Sequence, residues 1–252
     1  MAGVVEYFLV VYRRTWRASV ATRFLSPVLF LLAMGLGLGT LVDERAGGID
    51  GTSYLRFVVP GIVATQAMWV AMGESTWQVF AYIKWNKMYA AMLATPVRVG
   101  ELLAGHLAVV AAQIGLATAI FTGVAAAFGG FASWWAWLCL PFGLLTGMAF
   151  TVPIFAFTAS QQTEDGFNIL FRLVMTPLML FSGTFFPVDQ LPAPLRPVAW
   201  ATPLFHGVEL CRGAATGDLP PWPSAGHALV LVAFVAVGGA LALRAFTRRL
   251  VP

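Results

Sequence analysis

Six long apolar segments recur along this chain of 252 residues, and they limit its possible folds more than any other feature. The segments are residues 24–42, 57–80, 102–128, 137–159, 167–185 and 225–243. A bilayer core about 30 Å thick is crossed by about 20 apolar residues in a helix. Inside lipid, every backbone polar group must be paired within its own segment, which an isolated strand cannot do. The pattern predicts an all-α membrane protein with six transmembrane helices and excludes a water-soluble enzyme.

The composition leaves no room for a second, soluble domain. Hydrophobic residues make up 59% of the chain and charged residues 10%, whereas soluble domains carry about a quarter charged residues. Residues 1–252 are therefore predicted to form a single membrane domain. The net charge of +4 comes from residues near the ends of the apolar segments. They form no basic stripe with interleaved aromatic residues, so no nucleic-acid partner is expected.

The positions of Lys and Arg predict the orientation in the membrane. They cluster in the N-terminal arm, in the connection between the second and third spans, and in the tail, at Arg13, Arg14, Arg17, Arg23, Lys84, Lys87, Arg98, Arg244, Arg248 and Arg249. Cytoplasmic connections carry an excess of these residues, and six spans place all three clusters on one side. Both termini are therefore predicted to be cytoplasmic. The link at residues 160–166 falls on the same side by parity, although it carries Glu164 and Asp165.

Three further segments are predicted to lie outside the spans. Residues 1–23 begin apolar and continue basic and aromatic, which is typical of a helix in the headgroup region. Residues 84–98 are expected to form a short surface helix that ends before Pro96. A proline-rich segment after residue 185 contains a helical pattern over residues 203–215. One face of this helix would carry Leu204, Val208, Cys211 and Ala215, and another would carry His206, Glu209 and Arg212.

Motifs for catalysis, nucleotide binding and metal binding are missing from the sequence. It has no G-x-x-x-x-G-K-[ST] segment, so any ATP must be bound by another subunit. The histidines are scattered without metal-ligand spacing, at His106, His206 and His227. Cys139 and Cys211 are too few for a disulfide framework and are expected to be buried free thiols. The glycines in GLGLG, residues 35–39, have no preceding strand and favour close helix packing over dinucleotide binding.

Ionisable residues inside spans are costly and suggest function. Glu74, late in the second span, and Arg172, early in the fifth, would lie at similar depth near the cytoplasmic boundary. We expect them either to pair or to line the inner mouth of a path; alternatively, each extends separately to the headgroups. A histidine inside a span more often forms a hydrogen bond between helices than it relays protons, and we expect the first role for His106.

Three stretches of the sequence resemble a known family. They are FSGTFFPVDQLPAPLRPVAWATPLFHGVELCR at residues 181–212, YAAMLATPVRVGELLAGH at residues 89–106, and SPVLFLLAMGLGLG at residues 26–39. Together they resemble the ABC-2 type permeases, the membrane subunits of ATP-binding cassette (ABC) exporters. The likeness is to the nodulation-protein J branch, whose archetype exports a lipo-oligosaccharide, and to actinobacterial drug and glycolipid exporter permeases.

The resemblance implies an assembly in the bacterial cytoplasmic (inner) membrane. Two permeases, forming a homodimer or a heterodimer, would associate with two copies of an ATPase subunit. ATP and Mg would be bound by the ATPase, and this chain would bind no cofactor and have no catalytic activity of its own. Membrane lipids would surround the spans.

The resemblance also implies roles for particular residues. Residues 84–98 would be the coupling segment that docks on the ATPase, through Lys84, Trp85, Lys87, Met88, Tyr89 and Met92. Residues 186–215 would form outer-face helices, with an outer gate at Phe185, Phe186, His206, Glu209 and Arg212. A candidate translocation path would include Ser26, Phe30, Met34, Glu74, Arg172, Met175 and Met179. Tyr89→Asp or Met92→Asp would then be expected to uncouple ATPase stimulation without unfolding the spans.

These features predict an exporter permease for an amphipathic cargo, either a lipid-linked saccharide or a hydrophobic drug-like molecule. Few charges lie within the spans, which argues against small ions as cargo. A proton-driven secondary transporter is an alternative, but it would need intramembrane carboxylates and only Glu74 lies well inside a span. A membrane-embedded lipid transferase is a second alternative, and the acidic residues Asp43, Glu44 and Asp50 with His206 are too scattered to favour it.

Overall fold

A computed structural model describes residues 2–49 and 51–251, apart from the side chains at positions 2, 12, 14–24, 26, 35, 36 and 46. The α-helices are α1 (Ala2–Leu31), α2 (Thr40–Ala46), α3 (Tyr54–Ser75), α4 (Trp77–Phe80), α5 (Met88–Leu93), α6 (Val99–Ala127), α7 (Cys139–Ser160), α8 (Asp165–Ile169), α9 (Thr176–Phe181), α10 (Arg196–Trp200), α11 (Pro203–Thr216) and α12 (Pro221–Leu250). π-helical segments lie at Leu32–Gly39, Ala81–Trp85 and Leu170–Met175, and 3-10 turns at Trp134–Leu138 and Val188–Gln190.

The predicted class, an all-α membrane protein, is confirmed. The described ranges contain no β-strand, only an isolated bridge between Ile49 and Thr52. Five helical segments are long and apolar enough to cross a bilayer; they are Pro27–Arg45, Tyr54–Trp85, Val99–Ala127, Trp134–Ser160 and Pro221–Leu250. These match five of the six predicted spans, and the predicted count of six is not reached among the described residues.

The remaining predicted span, 167–185, forms a shorter helix. Helical structure runs from α8 through the π-helical segment to the end of α9 at Phe181. Gly183 then adopts a positive φ of 81°, a conformation that favours glycine and stops the helix. Thr184, in the following turn, lies buried with its hydroxyl 3.1 Å from that of Thr65 in α3. The apolar run in the sequence therefore extends beyond the helix, because its last residues pack as a turn.

The N-terminal arm and the first span are continuous. Helical backbone runs from Ala2 to Ala46 through α1, the first π-helical segment and α2, without a loop. The predicted boundary between arm and span near residue 23 is therefore not marked by a break in the helix. The run ends at Gly47, which has a φ of 69° and donates its N–H to the carbonyl of Asp43, as is typical of a helix C-terminus.

The helix α3 lies at the centre of the bundle, and most of its residues are buried. Its neighbours are α6, α7 and α11, while α12 packs along α7. Small residues allow close approach at these contacts. Gly147 of α7 lies against Ile114 of α6, and Gly238 of α12 lies against the ring of Pro153 in α7.

Contacts between connections define two ends of the bundle. Lys84 Nζ donates to the carbonyl of Gln162 at 2.7 Å, and Arg249 Nη2 donates to the carbonyl of Gln161 at 3.5 Å. The segment that begins at Lys84, the link after α7 and the C-terminal tail therefore meet at one end, which we call the basic end. At the other end the backbone N–H groups of Ala132 and Ser133 donate to the carbonyl of Ala215. We call it the proline-rich end; it consists of residues 43–53, 128–134 and 182–220.

Candidate functional site

An exposed corner at the basic end contains three of the predicted docking residues. Lys84, Trp85 and Lys87 are exposed, and the Trp85 side chain is 55% accessible. Lys87 has a φ of 47°, and it is the only non-glycine among the described residues with a positive φ. Such backbone strain costs about 1–3 kcal/mol and clusters at functional sites. The turn at Lys87 directs α5 toward the bundle, while Lys84, Trp85 and Lys87 remain exposed.

Tyr89 faces the interior of the bundle and not a partner. Its side chain is 0% exposed, and its hydroxyl lies 2.6 Å from Nδ1 of His106. Burial raises the pKa of Tyr89 well above its usual value, so the hydroxyl stays protonated. The predicted role of Tyr89 as a docking anchor is therefore wrong, because docking surfaces must be accessible. Met88 and Met92 are partly buried and pack on the same core.

An aromatic cluster surrounds the hydrogen bond between Tyr89 and His106. The His106 ring stacks on Phe8 of α1 at a centroid distance of 4.2 Å and contacts Phe155 of α7 at 5.1 Å. The Tyr89 ring lies 5.7 Å from that of Phe246 in α12. His106 forms a hydrogen bond between helices, as its place in an apolar span predicts. The sequence did not indicate its partner.

Glu74 and Arg172 are not joined by an ion pair between their described side chains. Glu74 Oε2 instead accepts a hydrogen bond from Nε2 of Gln113 in α6 at 3.2 Å. Arg172 is exposed in the π-helical segment between α8 and α9. The hypothesis that Glu74 and Arg172 form a pair is therefore wrong for this chain alone. Glu74 bonds to Gln113 instead, and Arg172 is exposed. Their place at the inner mouth of a path stays a prediction.

Four of the candidate path residues, Phe30, Met34, Met175 and Met179, pack in or against the main hydrophobic core. Phe30 and Met34 are partly buried against the main core. Met175 is buried, and the sulfur of Met179 accepts a hydrogen bond from Nε1 of Trp69 in α3 at 3.4 Å. The side chain of Ser26 lies outside the described residues. The hydrogen bond between Trp69 and Met179 therefore joins α9 to α3.

Arg212 ties three parts of the proline-rich end together. Its Nη1 donates to Oε1 of Glu209 at 2.8 Å, and its Nη2 donates to the carbonyl of Gly183 at 2.6 Å. Its guanidinium also lies 4.3 Å from the ring centroid of Phe57, a cation–π distance. These contacts join α11 to the turn after α9 and to the start of α3. The helix pattern over residues 203–215 is confirmed, and Leu204, Val208, Cys211 and Ala215 are all buried.

The other predicted gate residues fall into separate groups. Phe185 packs on the main core, and Phe186 packs on a small cluster formed by Val188, Leu191 and Ala199. Nδ1 of His206 lies 2.7 Å from Nδ1 of His227 at the start of α12. Sequence reasoning had no pattern that joined these two histidines, because they lie in different helices and meet only in the folded chain.

The histidine pair is expected to make stability depend on pH. Burial and then the neighbouring His227 lower the pKa of His206 below its usual value. The unfolded state therefore binds the proton more readily, so this contribution is complete above pH of about 6.5 and is lost as the pH falls below that value. The thermal midpoint should drop on acidification from pH 8 to pH 5, since protonation of both rings removes the acceptor nitrogen. Unfolding measured across this range in detergent, with His206→Asn as control, tests it; an equal drop in the control would contradict the assignment.

The surface of the proline-rich end includes a polar pocket and an apolar groove. A polar pocket of about 270 Å³ opens between α11 and α12, and its lining includes Glu209, Arg212, Asp218 and His227. An apolar groove of about 210 Å³ lies along α9 and α10; its lining includes Leu173, Pro177, Phe181, Leu195 and Val198. The described residues contain no group of three or more His, Cys, Asp or Glu side chains suited to a metal.

Comparison with known proteins agrees with this architecture. The family model described as "ABC-2 type transporter" matches residues 4–215. The chain belongs to the ABC-2 type transporter family. It is 36% identical over 220 residues to nodulation protein J of Rhizobium leguminosarum bv. viciae, covering 84% of this chain and 83% of the relative. Identity to nodulation protein J of Rhizobium meliloti (strain 1021) is 34% over 255 residues, 97% of this chain and 94% of the relative.

A more distant relative carries a transport name. The inner membrane transport permease YadH of Escherichia coli (strain K12) is 22% identical over 227 residues, 89% of this chain and 85% of the relative. The family resemblance inferred from the sequence is thus confirmed. The chain is a multi-pass membrane protein and the permease subunit of an ABC exporter, and membership of this family implies a partner ATP-binding subunit.

Proposed function

We propose that this permease moves an amphipathic cargo outward across the bacterial inner membrane, driven by an ATPase that docks at the basic end. Two permease copies and two ATPase copies form the complex, and ATP and Mg bind to the ATPase. The basic end, with both termini, faces the cytoplasm, in keeping with the Lys and Arg residues gathered there.

The exposed corner of Lys84, Trp85 and Lys87 carries the docking proposal. A large aromatic side chain with two flanking cations is the kind of anchor and rim that a protein interface uses. The positive φ at Lys87 turns the chain between this corner and α5. Tyr89, on the same segment, is buried in the core. A partner that docks at the corner therefore contacts a segment that is packed against the bundle.

An amphipathic cargo is supported by the apolar groove on α9 and α10. This groove lies at the proline-rich end and is lined largely by aliphatic and aromatic side chains. Such a lining suits an acyl chain or a hydrophobic ring system and disfavours an ion. The cargo is therefore proposed to be a lipid-linked saccharide or a hydrophobic drug-like molecule. In the assembled dimer the helix formed by α8, the π-helical segment and α9 acts as the sixth span.

Trp85→Glu is expected to weaken binding of the ATPase subunit about thirtyfold or more, since a buried interfacial aromatic anchor contributes about 2 kcal/mol or more. The measurement is titration of the purified partner ATPase subunit onto permease in nanodiscs. Trp222→Glu is the matched control, because Trp222 is 87% exposed at the start of α12, on the opposite end. It should bind the ATPase as the wild type does.

Two results would overturn the docking proposal. One is equal ATPase affinity for Trp85→Glu and wild type. The other is equal weakening in both tryptophan variants, which would indicate a general effect on the membrane domain. Transport of a fluorescent glycolipid that continues without ATPase and stops with a protonophore would favour the proton-driven alternative.

A further inference from the structure

We propose that the hydrogen bond between Tyr89 and His106 is the joint that transmits displacement of the docking corner to the spans. Both act as positioning residues for transport and not as contacts to the ATPase or the cargo. This inference rests on the proposed docking function of the basic end.

The first observation is the depth of the pair. Tyr89 is 0% exposed and His106 is 3% exposed, and the two polar atoms lie 2.6 Å apart. The surrounding side chains are Phe8, Tyr82, Phe155 and Phe246. An apolar pair would fill such a place without the cost of burying polar groups. A polar pair adds what aromatic packing alone lacks, which is a directional contact that resists sliding of α5 along α6.

The second observation is the reach of the cluster. The pair itself joins α5, which follows directly on the exposed corner, to α6. From there His106 touches α1 through Phe8 and α7 through Phe155, and Tyr89 touches α12 through Phe246. A displacement of the corner can therefore be transmitted to four long helices, α1, α6, α7 and α12, through this one cluster. Packed interfaces switch between discrete arrangements and do not deform continuously, so a fixed joint converts a local push into a helix shift.

The test uses the complete complex of permease and ATPase in nanodiscs of phosphatidylethanolamine and phosphatidylglycerol. A reporter cysteine replaces Val198, which is 61% exposed at the proline-rich end, and carries an environment-sensitive bimane label. The native Cys139 and Cys211 are buried and stay unlabelled in the folded protein. The fluorescence change on addition of MgATP reports movement at the far end, and no cargo is needed.

Tyr89→Phe keeps the ring and removes the hydroxyl, so ATPase affinity should stay at the wild-type value. The MgATP-driven fluorescence change should fall about fivefold, the change in equilibrium that one ordinary hydrogen bond corresponds to. His106→Leu should show the same loss. His106→Asn places an amide near the position of Nδ1 and should retain most of the signal. Phe246→Leu loosens the same cluster without touching the hydrogen bond and should also retain it.

A wild-type signal in Tyr89→Phe would overturn the proposal, and so would an equal loss in Phe246→Leu, since packing and not the hydrogen bond would then carry the motion. Should the wild-type permease fail to bind the ATPase, the docking function fails together with this inference; normal ATPase binding without any MgATP-driven change would overturn this inference alone. The two failures are distinguishable because ATPase affinity and fluorescence are measured on the same samples.

Discussion

Gly238→Val is expected to prevent stable packing of the last span and to give the largest loss of folded protein of any change considered. A β-carbon at Gly238 would lie 2.7 to 2.9 Å from Cδ, Cγ and the backbone nitrogen of Pro153 in α7. A proline ring cannot rotate away, so the helices must separate. Overpacking of this kind costs about 3 kcal/mol.

Buried thiols provide the measurement. Cys139 and Cys211 are free and buried. The contact with Cys139 and then burial raise the pKa of the Cys211 thiol well above its usual value, so reaction with a fluorogenic maleimide should report unfolding. Gly226→Val, in the same helix, is the control because a β-carbon there meets nothing within 4 Å. Equal thermal midpoints for both variants would contradict the close packing of α12 on α7.

Arg212→Met is expected to have the second largest effect and to loosen the proline-rich end. The change removes the bonds to Glu209 and to the carbonyl of Gly183, together with the contact to Phe57. Hydrogen bonds to a charged group contribute about 1.5–3 kcal/mol each, and partial exposure of Arg212 lowers the total for the two bonds to about 2.5 kcal/mol. The thermal midpoint should fall by roughly 5–10 °C at about 2–4 °C per kcal/mol.

Two further variants separate charge from geometry at this position. Arg212→Lys keeps the charge but loses the forked donors, so it should recover only part of the stability. Arg56→Met is the control, since Arg56 is exposed and its Nε makes one long bond of 3.4 Å to the carbonyl of Gly129. A smaller loss for Arg212→Met than for Arg56→Met would show that Arg212 does not hold this end together.

Patterns of local origin were predictable from the sequence. The apolar segments indicated the spans because lipid demands helices of a minimum length, and five of them formed as expected. The α11 helix was predictable from its periodicity, and its buried face from the apolar residues on it. The prediction that Cys139 and Cys211 are buried free thiols is also confirmed.

The direction in which a single side chain points was harder to predict from the sequence than the spans were. Tyr89 was expected on the docking surface together with Trp85 and Lys87, but only Trp85 and Lys87 are exposed. Half a turn of helix, about two residues, separates an exposed side chain from a buried one, so an uncertainty of one or two residues in where α5 begins reverses the assignment. The left-handed backbone at Lys87 sets that start, and no sequence pattern marks a lysine with positive φ.

What the sequence by itself determined was the membrane class, the family, the general position of the spans and the helical character of residues 203–215. Only the tertiary structure decided that Tyr89 bonds to His106, that His206 meets His227, and that Glu74 bonds to Gln113 while Arg172 lies exposed. The reason is that a segment enters lipid according to the polarity of its own residues, which can be read directly from the sequence. Pairing of polar groups depends instead on which helix faces meet, and this is determined by packing across the whole bundle.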